Sequence, residues 1–361
     1  MGSIVQFFDH NATTPLCEPA RQAWLETMDG HWLNPSSPYR AAAAVSVRLE
    51  ALRKELAELF GAVPERLIFN SGATEGNNAV IRHFRATLPA DARIVVSPIE
   101  HPSVLEPVRE AFGERIDWLP LDGLGRVDLE QADLEGVAAV SLMAANNETG
   151  MLQPWAAMAA ACRSRGIPFH CDASQWIGKM PLAGLADCTY LTGCAHKFGG
   201  PRGAGFLLVP ETGPLAGGFL GGHQQGGRRA GTEDMAGAAA LTAALKWAEG
   251  HRAAAAAAGG REALCSRLES GLPGLRYVGA PDQALWNTLS VRLPRFASRR
   301  WIRALERRGF LVSAGSACST GQAGPSHVLA AMGLGSEEAD RVLRISGGWS
   351  QSRADWEALG A

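Results

Sequence analysis

The chain has 361 residues, of which 46% are hydrophobic, and it carries 34 Lys and Arg residues against 36 Asp and Glu residues. A chain of this length can bury the cores of about two ordinary domains. Because the formal net charge is only -2, the surface offers no general attraction for nucleic acid or for an anionic membrane. The composition therefore favours small-molecule chemistry.

The first residues, MGSIVQFFDHNATTP, contain neither a basic segment nor a long apolar run. Nowhere does an apolar stretch reach the roughly 18 residues that a membrane span needs. We therefore expect a cytoplasmic protein that binds no membrane. The seven cysteines are scattered without a C-x-x-C pair, which argues against a disulfide framework and a structural zinc site. Most of them are interpreted as small buried hydrophobic residues.

Apolar residues at steps of three and four predict an amphipathic helix over about 43–60, which ends at Gly61. Short apolar runs then alternate with helix-length segments. These runs are RLIFN, ARIVVSP, RIDWLPL, VAAVSLMA, IPFHCDA, CTYLTG and AGFLLV. Seven strands separated mostly by long connections predict an α/β domain with a largely parallel sheet.

After about residue 235 the composition changes to an alanine-rich region that includes the run 253–258. Because alanine is the best helix former, we predict a helix that joins two domains instead of a flexible linker. Beyond it, TLSVRL, FLVSAGS and VLRISG predict strands of a smaller α+β domain, interleaved with helices such as SRRWIRALERRG. We interpret the arginines of this helix as a solvated face opposite Trp301, Ile302 and Leu305, although they could dock an acidic partner.

Residues suited to chemistry follow several of the predicted strands, where an α/β sheet binds its ligands. The segment SGATEGNN, residues 71–78, follows RLIFN and opens a helix. Its N–H groups could bind a phosphate together with the Thr74 hydroxyl, or the segment could be a bare helix cap. His101 follows RIVVSP, where an imidazole could stack on a cofactor ring and transfer protons, or could be a hydrogen-bonded structural residue.

The next two strands end in further polar residues. Asn146 and Asn147 could orient a phenolic oxygen or a substrate carboxylate, or could form an Asn/Gly turn. Asp172 ends the apolar run GIPFHCD, and Lys197 follows further along in GCAHKFGG. A pyridoxal phosphate enzyme needs such a pair, because the lysine amine forms a Schiff base and the carboxylate keeps the pyridine nitrogen protonated. The aspartate could also only cap a helix.

The ordered series DHNATTP, NPSS, SGATEGNN, EHPSV, NNETG, DASQ, HK, RRAGT and SAGSACST covers nearly the whole chain. It resembles the cysteine desulfurases of the class V aminotransferase group, which are fold-type-I pyridoxal phosphate enzymes. The resemblance implies a large α/β domain over 16–248 that binds pyridoxal 5′-phosphate through a seven-stranded, mostly parallel sheet. It also implies a smaller α+β domain, formed by 1–15 and 249–361, that carries the catalytic cysteine loop.

The same resemblance assigns roles to individual residues. Three are implied to be catalytic: Lys197 as the Schiff-base lysine, Cys318 as the sulfur acceptor and His101 as the stacked acid/base. The implied cofactor-binding residues are Ala73, Thr74, His101, Asn147, Asp172, Gln175, Cys194, His196, Lys197 and Thr232. The implied substrate-binding residues are Asn34, Asn147 and Arg344. Arg344 would fork onto the substrate carboxylate, and Thr232 would reach the phosphate of the neighbouring subunit, which implies a homodimer.

Cys318 lies in a run of small residues, SAGSACSTGQAG, which predicts an exposed and mobile loop. The implied activity converts L-cysteine to L-alanine. The Cys318 thiolate attacks the substrate sulfur and becomes a persulfide, which passes the sulfur to an acceptor protein or small molecule. That acceptor could be a scaffold for iron–sulfur clusters, a carrier for thiolated cofactors or transfer RNA, or part of a dedicated pathway. The alternative is an incidental loop cysteine.

Other functions stay open at this point. The same cofactor could serve a selenocysteine lyase, another carbon–sulfur lyase or an aminotransferase, and a non-catalytic interaction protein could retain the fold. Three positions depart from the family pattern: Cys194 replaces a common serine, Tyr39 the histidine after NPSS, and Trp349 an arginine. A thiol is a poorer hydrogen-bond donor to phosphate than a hydroxyl, and the other two departures bear on substrate preference.

Overall fold

The computed structural model describes residues 5–314 and 326–361. The strands are β1 (Gln6–Phe7), β2 (Leu67–Asn70), β3 (Ile94–Val96), β4 (Ile116–Trp118), β5 (Ala139–Ser141), β6 (Phe169–Asp172), β7 (Tyr190–Cys194), β8 (Gly205–Leu208), β9 (Arg276–Tyr277), β10 (Thr288–Arg292), β11 (Phe310–Leu311) and β12 (Val342–Ser346). The helices are α1 (Glu18–Gly30), α2 (Arg40–Phe60), α3 (Ala73–Thr87), α4 (Pro102–Phe112), α5 (Trp155–Arg165), α6 (Met235–Ala257), α7 (Gly260–Gly271), α8 (Ser298–Arg307), α9 (His327–Ala331), α10 (Ser336–Ala339) and α11 (Arg353–Leu359).

Strands β2 to β8 form one mixed sheet in the order β2-β8-β7-β6-β5-β3-β4. Strands β3 to β7 are parallel, and β8 runs antiparallel to both of its neighbours, β2 and β7. Six strands fall within the apolar runs of the sequence and β7 extends one residue beyond its run, so the predicted seven-stranded, mostly parallel sheet is confirmed. Strands β5 to β8 are buried along their whole length, as expected for a sheet that helices cover on both faces.

Helix α2 confirms the predicted amphipathic helix. It ends where Gly61 adopts a φ of 70°, a left-handed conformation that glycine enters without strain. Its apolar stripe packs into the main core of the large sheet; the buried residues of that stripe are Val45, Leu49, Leu52 and Leu56. Helix α6 includes most of the alanine-rich run and packs against α1 and α2.

A second, antiparallel sheet has the strand order β12-β10-β9. Helix α8 lies with it: its arginines are exposed, and Trp301, Ile302 and Leu305 pack on the core of this sheet, as the sequence indicated. The N-terminal segment reaches the same region, because β1 pairs with β11 and Asp9 bridges to Ser346. This pairing agrees with the grouping of 1–15 with the C-terminal part, and the domain boundaries themselves stay a prediction.

Within the described ranges, no helix combines the length and the apolar character that crossing a membrane requires.

Candidate active site at the carboxyl ends of the large sheet

A cavity of about 700 Å³ lies at the carboxyl ends of the parallel strands. The segments that follow β2, β3, β5, β6 and β7 contribute most of its lining, which is where an α/β sheet binds ligands. The predicted site residues that line it are Ala73, Thr74, His101, Asn147, Asp172, Gln175, Cys194, His196, Lys197 and Arg344. Motifs that are far apart in the sequence therefore meet in one cavity.

Two predicted site residues in the described part of the chain do not fall in this lining, and a third lies outside that part. Asn34 and Thr232 are exposed, within the part of the chain that the structure describes, and lie away from the cavity. The Oδ1 atom of Asn34 accepts a hydrogen bond from Ser36 N instead (2.9 Å). Cys318 lies outside the described residues. The roles of these three residues stay predictions.

Asp172 is the last residue of β6 and is only 5% exposed. Its Oδ1 atom accepts a hydrogen bond from Ser174 N (2.9 Å), and its Oδ2 atom accepts one from Asn77 Nδ2 (2.8 Å). Because both oxygens have donors, the carboxylate is held in one orientation as a charge-assisted acceptor. Asn77 belongs to the motif SGATEGNN, but no role was predicted for it. Its signal was a polar residue on the apolar stripe of α3, one turn before Val80 and Ile81.

Asn77 is also linked to His101 through Ser103, whose backbone N–H fixes the proton position of the imidazole. The second Nδ2 hydrogen of Asn77 is donated to Ser103 Oγ (2.9 Å). Ser103 Oγ lies 2.8 Å from His101 Nδ1, and Ser103 N donates to the same nitrogen (3.1 Å). Since a backbone N–H can only donate, His101 Nδ1 is an acceptor, and the neutral imidazole carries its proton on Nε2. Burial lowers the pKa of His101, Asp172 opposes that shift, and Lys197 adds to it.

Lys197 follows β7 and donates from Nζ to the backbone oxygens of Asn11 (2.6 Å) and Ala12 (2.7 Å). Asn11 is itself buried and contacts both sheets. Its Nδ2 atom donates to Thr288 Oγ1 (2.9 Å) in β10 and to Asn147 O (3.3 Å) after β5. The segment DHNATTP therefore links the lysine to the small sheet, a role that the motif alone did not reveal.

A second lysine, Lys179, lies beneath the cavity and is 1% exposed. Its Nζ atom donates to Asn11 Oδ1 (2.9 Å) and to Gln175 Oε1 (2.6 Å). These contacts orient the Gln175 amide, whose Nε2 atom donates to Asn11 O (2.9 Å). Burial lowers the pKa of Lys179 well below its ordinary value, and the charges of Lys197 and Arg344 add to that shift. The sequence analysis missed Lys179, although a lysine in the apolar segment WIGKM was a signal.

One end of the cavity is rich in hydrogen-bond donors. Helix α3 begins there at Ala73, and the N–H groups of its first turn have no partners within the helix. Cys194 and His196 lie nearby at the end of β7. Burial raises the pKa of the Cys194 thiol. Burial also lowers the pKa of His196 to about 4, with the charge of Lys197 adding to the shift. The helix dipole and the neutral side chains suit an anionic group.

Arg344 presents a buried guanidinium at another part of the wall. It lies in β12, is 1% exposed, and donates from Nη2 to Asp9 Oδ1 (2.6 Å) and from Nη1 to Asn147 O (2.8 Å). Its backbone pairs with Ser313, since Arg344 N donates to Ser313 O (2.7 Å). These contacts fix the plane of the guanidinium, which is the property that bidentate carboxylate binding requires.

Four further polar residues near the cavity were missed by the sequence analysis. Ser326 Oγ donates to Glu148 Oε2 (2.6 Å), and His327 Nε2 lies 2.8 Å from Glu100 O. Burial raises the pKa of Glu148, while its bond with Ser326 opposes the shift. Glu100 is fully buried, and its Oε1 atom accepts a hydrogen bond from Met143 N. Burial, and then the charge of Asp172, raise the pKa of Glu100 well above its ordinary value.

The departures Tyr39 and Trp349 both lie outside the cavity lining. Tyr39 is 50% exposed and precedes α2. Trp349 Nε1 donates to Gly178 O (3.1 Å), and the indole packs edge-on against Trp247 with ring centroids 5.6 Å apart. Trp286 Nε1 similarly donates to Lys179 O (2.9 Å). Two indoles thus support the backbone that carries the buried lysine, which gives Trp349 a structural role.

Known proteins resemble this chain in sequence and in fold. The family model described as aminotransferase class-V matches residues 6–359. A cysteine desulfurase from Cereibacter sphaeroides is 37% identical over 352 residues, which cover 94% of this chain and 90% of that protein. A solved structure named NifS-like protein superposes with a TM-score of 0.89 at 28% identity, covering 99% of this chain and 97% of that one. The structure of SspA in complex with cysteine superposes with a TM-score of 0.80 at 27% identity, covering 94% and 98% of the two chains. The chain therefore belongs to the class-V aminotransferase family.

Proposed function

We propose that this protein is a pyridoxal 5′-phosphate-dependent cysteine desulfurase, which converts L-cysteine to L-alanine and passes the sulfur to an acceptor. The observation that carries the proposal is the single cavity that Lys197, Asp172 and Arg344 line together. The relative from Cereibacter sphaeroides bears the name cysteine desulfurase, and SspA was solved with cysteine. Both resemble this chain over more than nine-tenths of its length, which supports the same activity here.

The donor set of the cavity fits pyridoxal 5′-phosphate. The first turn of α3, with Thr74, suits the phosphate. Asp172, whose oxygens are both held by donors, suits a protonated pyridine nitrogen, and the Lys197 amine suits the aldehyde. When bound, this group supplies an electron sink for the charge that develops at the substrate Cα. The surroundings therefore match the cofactor at its phosphate, its ring nitrogen and its aldehyde.

The chain's own residues bind the substrate and move its protons. Arg344, held flat by Asp9 and Asn147, binds the substrate carboxylate with two parallel N–H groups. Lys197 removes the Cα proton. Its amine is already positioned by hydrogen bonds to two backbone oxygens. His101 presents Nε2–H as a donor, because Ser103 occupies Nδ1. These roles divide substrate binding, proton removal and hydrogen bonding among separate residues.

Sulfur transfer and subunit contacts complete the proposal. Cys318 accepts the substrate sulfur as a persulfide and hands it to an acceptor protein or small molecule. The protein acts as a homodimer, in which the exposed Thr232 reaches the phosphate in the partner's cavity and the exposed Asn34 contributes to a substrate site. Exposure of both residues on the isolated chain supports contacts with a second copy, since neither lines this chain's own cavity.

The test mixes the purified protein with L-cysteine and measures alanine, sulfide and the visible spectrum, for the wild type and for Cys318→Ala. We expect both proteins to be yellow and the variant to release neither sulfide nor alanine. Cys265→Ala is the matched control, because Cys265 is a half-buried cysteine of α7 that does not line the cavity, and it should keep full activity. Undiminished sulfur release from Cys318→Ala would favour the lyase alternative. A colourless wild type that never binds the cofactor would refute the proposal.

A further inference from the structure

We propose that His327 is a catalytic residue that takes the proton from the thiol of the bound substrate; this inference rests on the desulfurase function proposed above. Three imidazoles line the cavity. That of His196 lies at the donor-rich end, with Nδ1 3.2 Å from Thr13 Oγ1, and the other two are those of His101 and His327. In the neutral state His101 and His327 both carry the proton on Nε2, but different ring nitrogens are engaged: Nδ1 accepts in His101, and Nε2–H donates in His327. The contrast between the two rings carries the proposal.

The neutral imidazole of His101 is a donor toward its surroundings. The backbone N–H of Ser103 points at His101 Nδ1 (3.1 Å), and the Ser103 hydroxyl, which accepts from Asn77, directs its own hydrogen to the same nitrogen. The lone pair of His101 is therefore engaged, and its proton is on Nε2. A neutral histidine in this state can donate a hydrogen bond from Nε2–H, but its one basic lone pair is already engaged and is not available to take a proton from a thiol.

In the neutral imidazole of His327, it is the N–H group and not the lone pair that is hydrogen-bonded. Its Nε2 atom lies 2.8 Å from the backbone oxygen of Glu100. A carbonyl oxygen can only accept, so His327 carries its proton on Nε2 and its lone pair on Nδ1. His327 is partly exposed and lines the cavity. Of these two imidazoles, His327 is thus the one that can act as a base.

The position of His327 is fixed by its neighbours. It is the first residue of α9, and the preceding residue, Ser326, caps that helix by accepting from Leu329 N (3.2 Å). Ser326 Oγ in turn donates to Glu148 Oε2 (2.6 Å), and Glu148 and Ser326 are both buried. A base that is anchored in this way can hold its lone pair toward a substrate without a large entropic cost.

The groups around His327 keep its hydrogen bond intact during the step. When His327 Nδ1 takes a proton, Nε2–H keeps its bond to Glu100 O. The carboxyl of Glu148 is held by Ser326, the residue before His327, and the guanidinium of Arg344 donates to Asp9 Oδ1.

The step balances without an external oxidant or reductant. The substrate thiol gives its proton to His327 Nδ1. The thiolate that accepts the sulfur then attacks the substrate Sγ atom, so that one S–S bond forms and the Cβ–Sγ bond breaks with its electron pair passing to Cβ. Cβ takes the proton back from His327. The net change is the transfer of one sulfur, together with the movement of one proton from sulfur to carbon.

The first test is His327→Gln, whose amide can keep a donor for Glu100 O but cannot act as a base. We expect kcat for alanine formation from cysteine to fall about a hundredfold at neutral pH, the typical size of one acid–base contribution. The KM for cysteine and the spectrum of the bound cofactor should be unchanged. The matched control is His251→Gln, because His251 is exposed on α6, and its kcat should equal that of the wild type.

Activity with selenocysteine as the substrate distinguishes a catalytic base from a residue with only a structural role. Its selenol is already ionised at neutral pH and needs no base, so His327→Gln should lose far more activity with cysteine than with selenocysteine. Equal losses with the two substrates, or an unchanged kcat with cysteine, would overturn the proposal. Failure of the desulfurase function itself would show separately, as a wild type that forms no alanine.

NMR of the cofactor-loaded protein with ¹⁵N-labelled histidine gives a readout that is independent of turnover. His327→Gln assigns the signal of His327, which should have the tautomer with the proton on Nε2. His251 supplies the opposite reference, because its Nδ1 atom lies 2.8 Å from Trp247 O and therefore carries the proton. A His327 signal that matches the His251 tautomer would overturn the proposal.

Discussion

Asn77 Nδ2 lies 2.8 Å from Asp172 Oδ2 and connects the start of α3 to the end of β6. The same amide donates its other hydrogen to Ser103 Oγ, which leads to His101. A single buried side chain thus orients both the carboxylate and the imidazole of the site. Because a buried acceptor that loses its donor is costly, Asn77 affects both stability and ligand binding.

Replacing Asn77 by leucine should remove both donors while keeping most of the side-chain volume. We expect the free energy of unfolding to fall by about 1.5–3 kcal/mol, the range for a hydrogen bond to a charged group, and the affinity for pyridoxal 5′-phosphate to fall with it. Urea unfolding and cofactor titration measure the two effects. Asn78→Leu is the matched control, since Asn78 is half-buried and donates to Thr74 O. Equal losses in the two variants would contradict this account.

Lys179→Met should change the pH dependence of stability. The folded-state pKa of Lys179 lies well below its ordinary value, so between that pKa and about 10.4 the unfolded state binds a proton that the folded state lacks. Raising the pH through this window therefore stabilises the wild type relative to the variant. We expect the difference in urea midpoint between the wild type and Lys179→Met to grow, in favour of the wild type, as the pH rises.

The control for Lys179 is Lys54→Met, because Lys54 is 67% exposed and pairs only weakly with Glu58 at 3.8 Å. We expect a gap between this variant and the wild type that stays constant with pH. A constant gap for Lys179→Met as well would mean that the buried amine titrates as it does in the unfolded chain.

Glu100→Gln should stabilise the protein increasingly as the pH rises. Because burial raises the folded-state pKa of Glu100, its contribution is fully present below the unfolded pKa of about 4.3 and is lost as the pH rises through the folded pKa. Glutamine cannot ionise, so the variant does not lose this stability. The difference in the free energy of unfolding between the variant and the wild type therefore grows by at most about 1.4 kcal/mol for each pH unit. Thermal or urea unfolding from pH 4 upward, at about one-unit intervals, measures the difference.

Glu106→Gln serves as the control for Glu100, because Glu106 lies on α4 with its side chain 70% exposed. Its stability should follow the wild type at every pH. Parallel curves for Glu100→Gln and the wild type would show that the buried carboxyl keeps an ordinary pKa.

The sequence was sufficient for the sheet and for much of the cavity, because both depend on local patterns. Apolar runs predicted the seven strands, and the polar residues that follow them were expected where parallel strands end. Asn77, Lys179 and Glu100 were missed for a different reason. The partner of each lies far along the chain: Lys179 and Asn11 are 168 positions apart. Only the packed structure shows which buried polar groups meet.

The positions of Asn34 and Thr232 show a second limit of sequence reasoning. Both motifs are present, yet neither residue lies in the cavity of its own chain. For Thr232 the resemblance already implied a reach into the neighbouring subunit, whereas for Asn34 it did not specify which subunit's site the residue serves. The proposed homodimer accounts for both residues, and it can be examined only with a second copy in view.

The pair between Asp9 and Arg344 joins residues 335 positions apart. During translation, Asp9 leaves the ribosome long before β12 is synthesised. The early nascent chain therefore lacks the Arg344 guanidinium with which Asp9 later pairs. No intermediate that ends before residue 344 can complete the cavity wall. The substrate-binding part of the wall can therefore form only after Arg344 has left the ribosome.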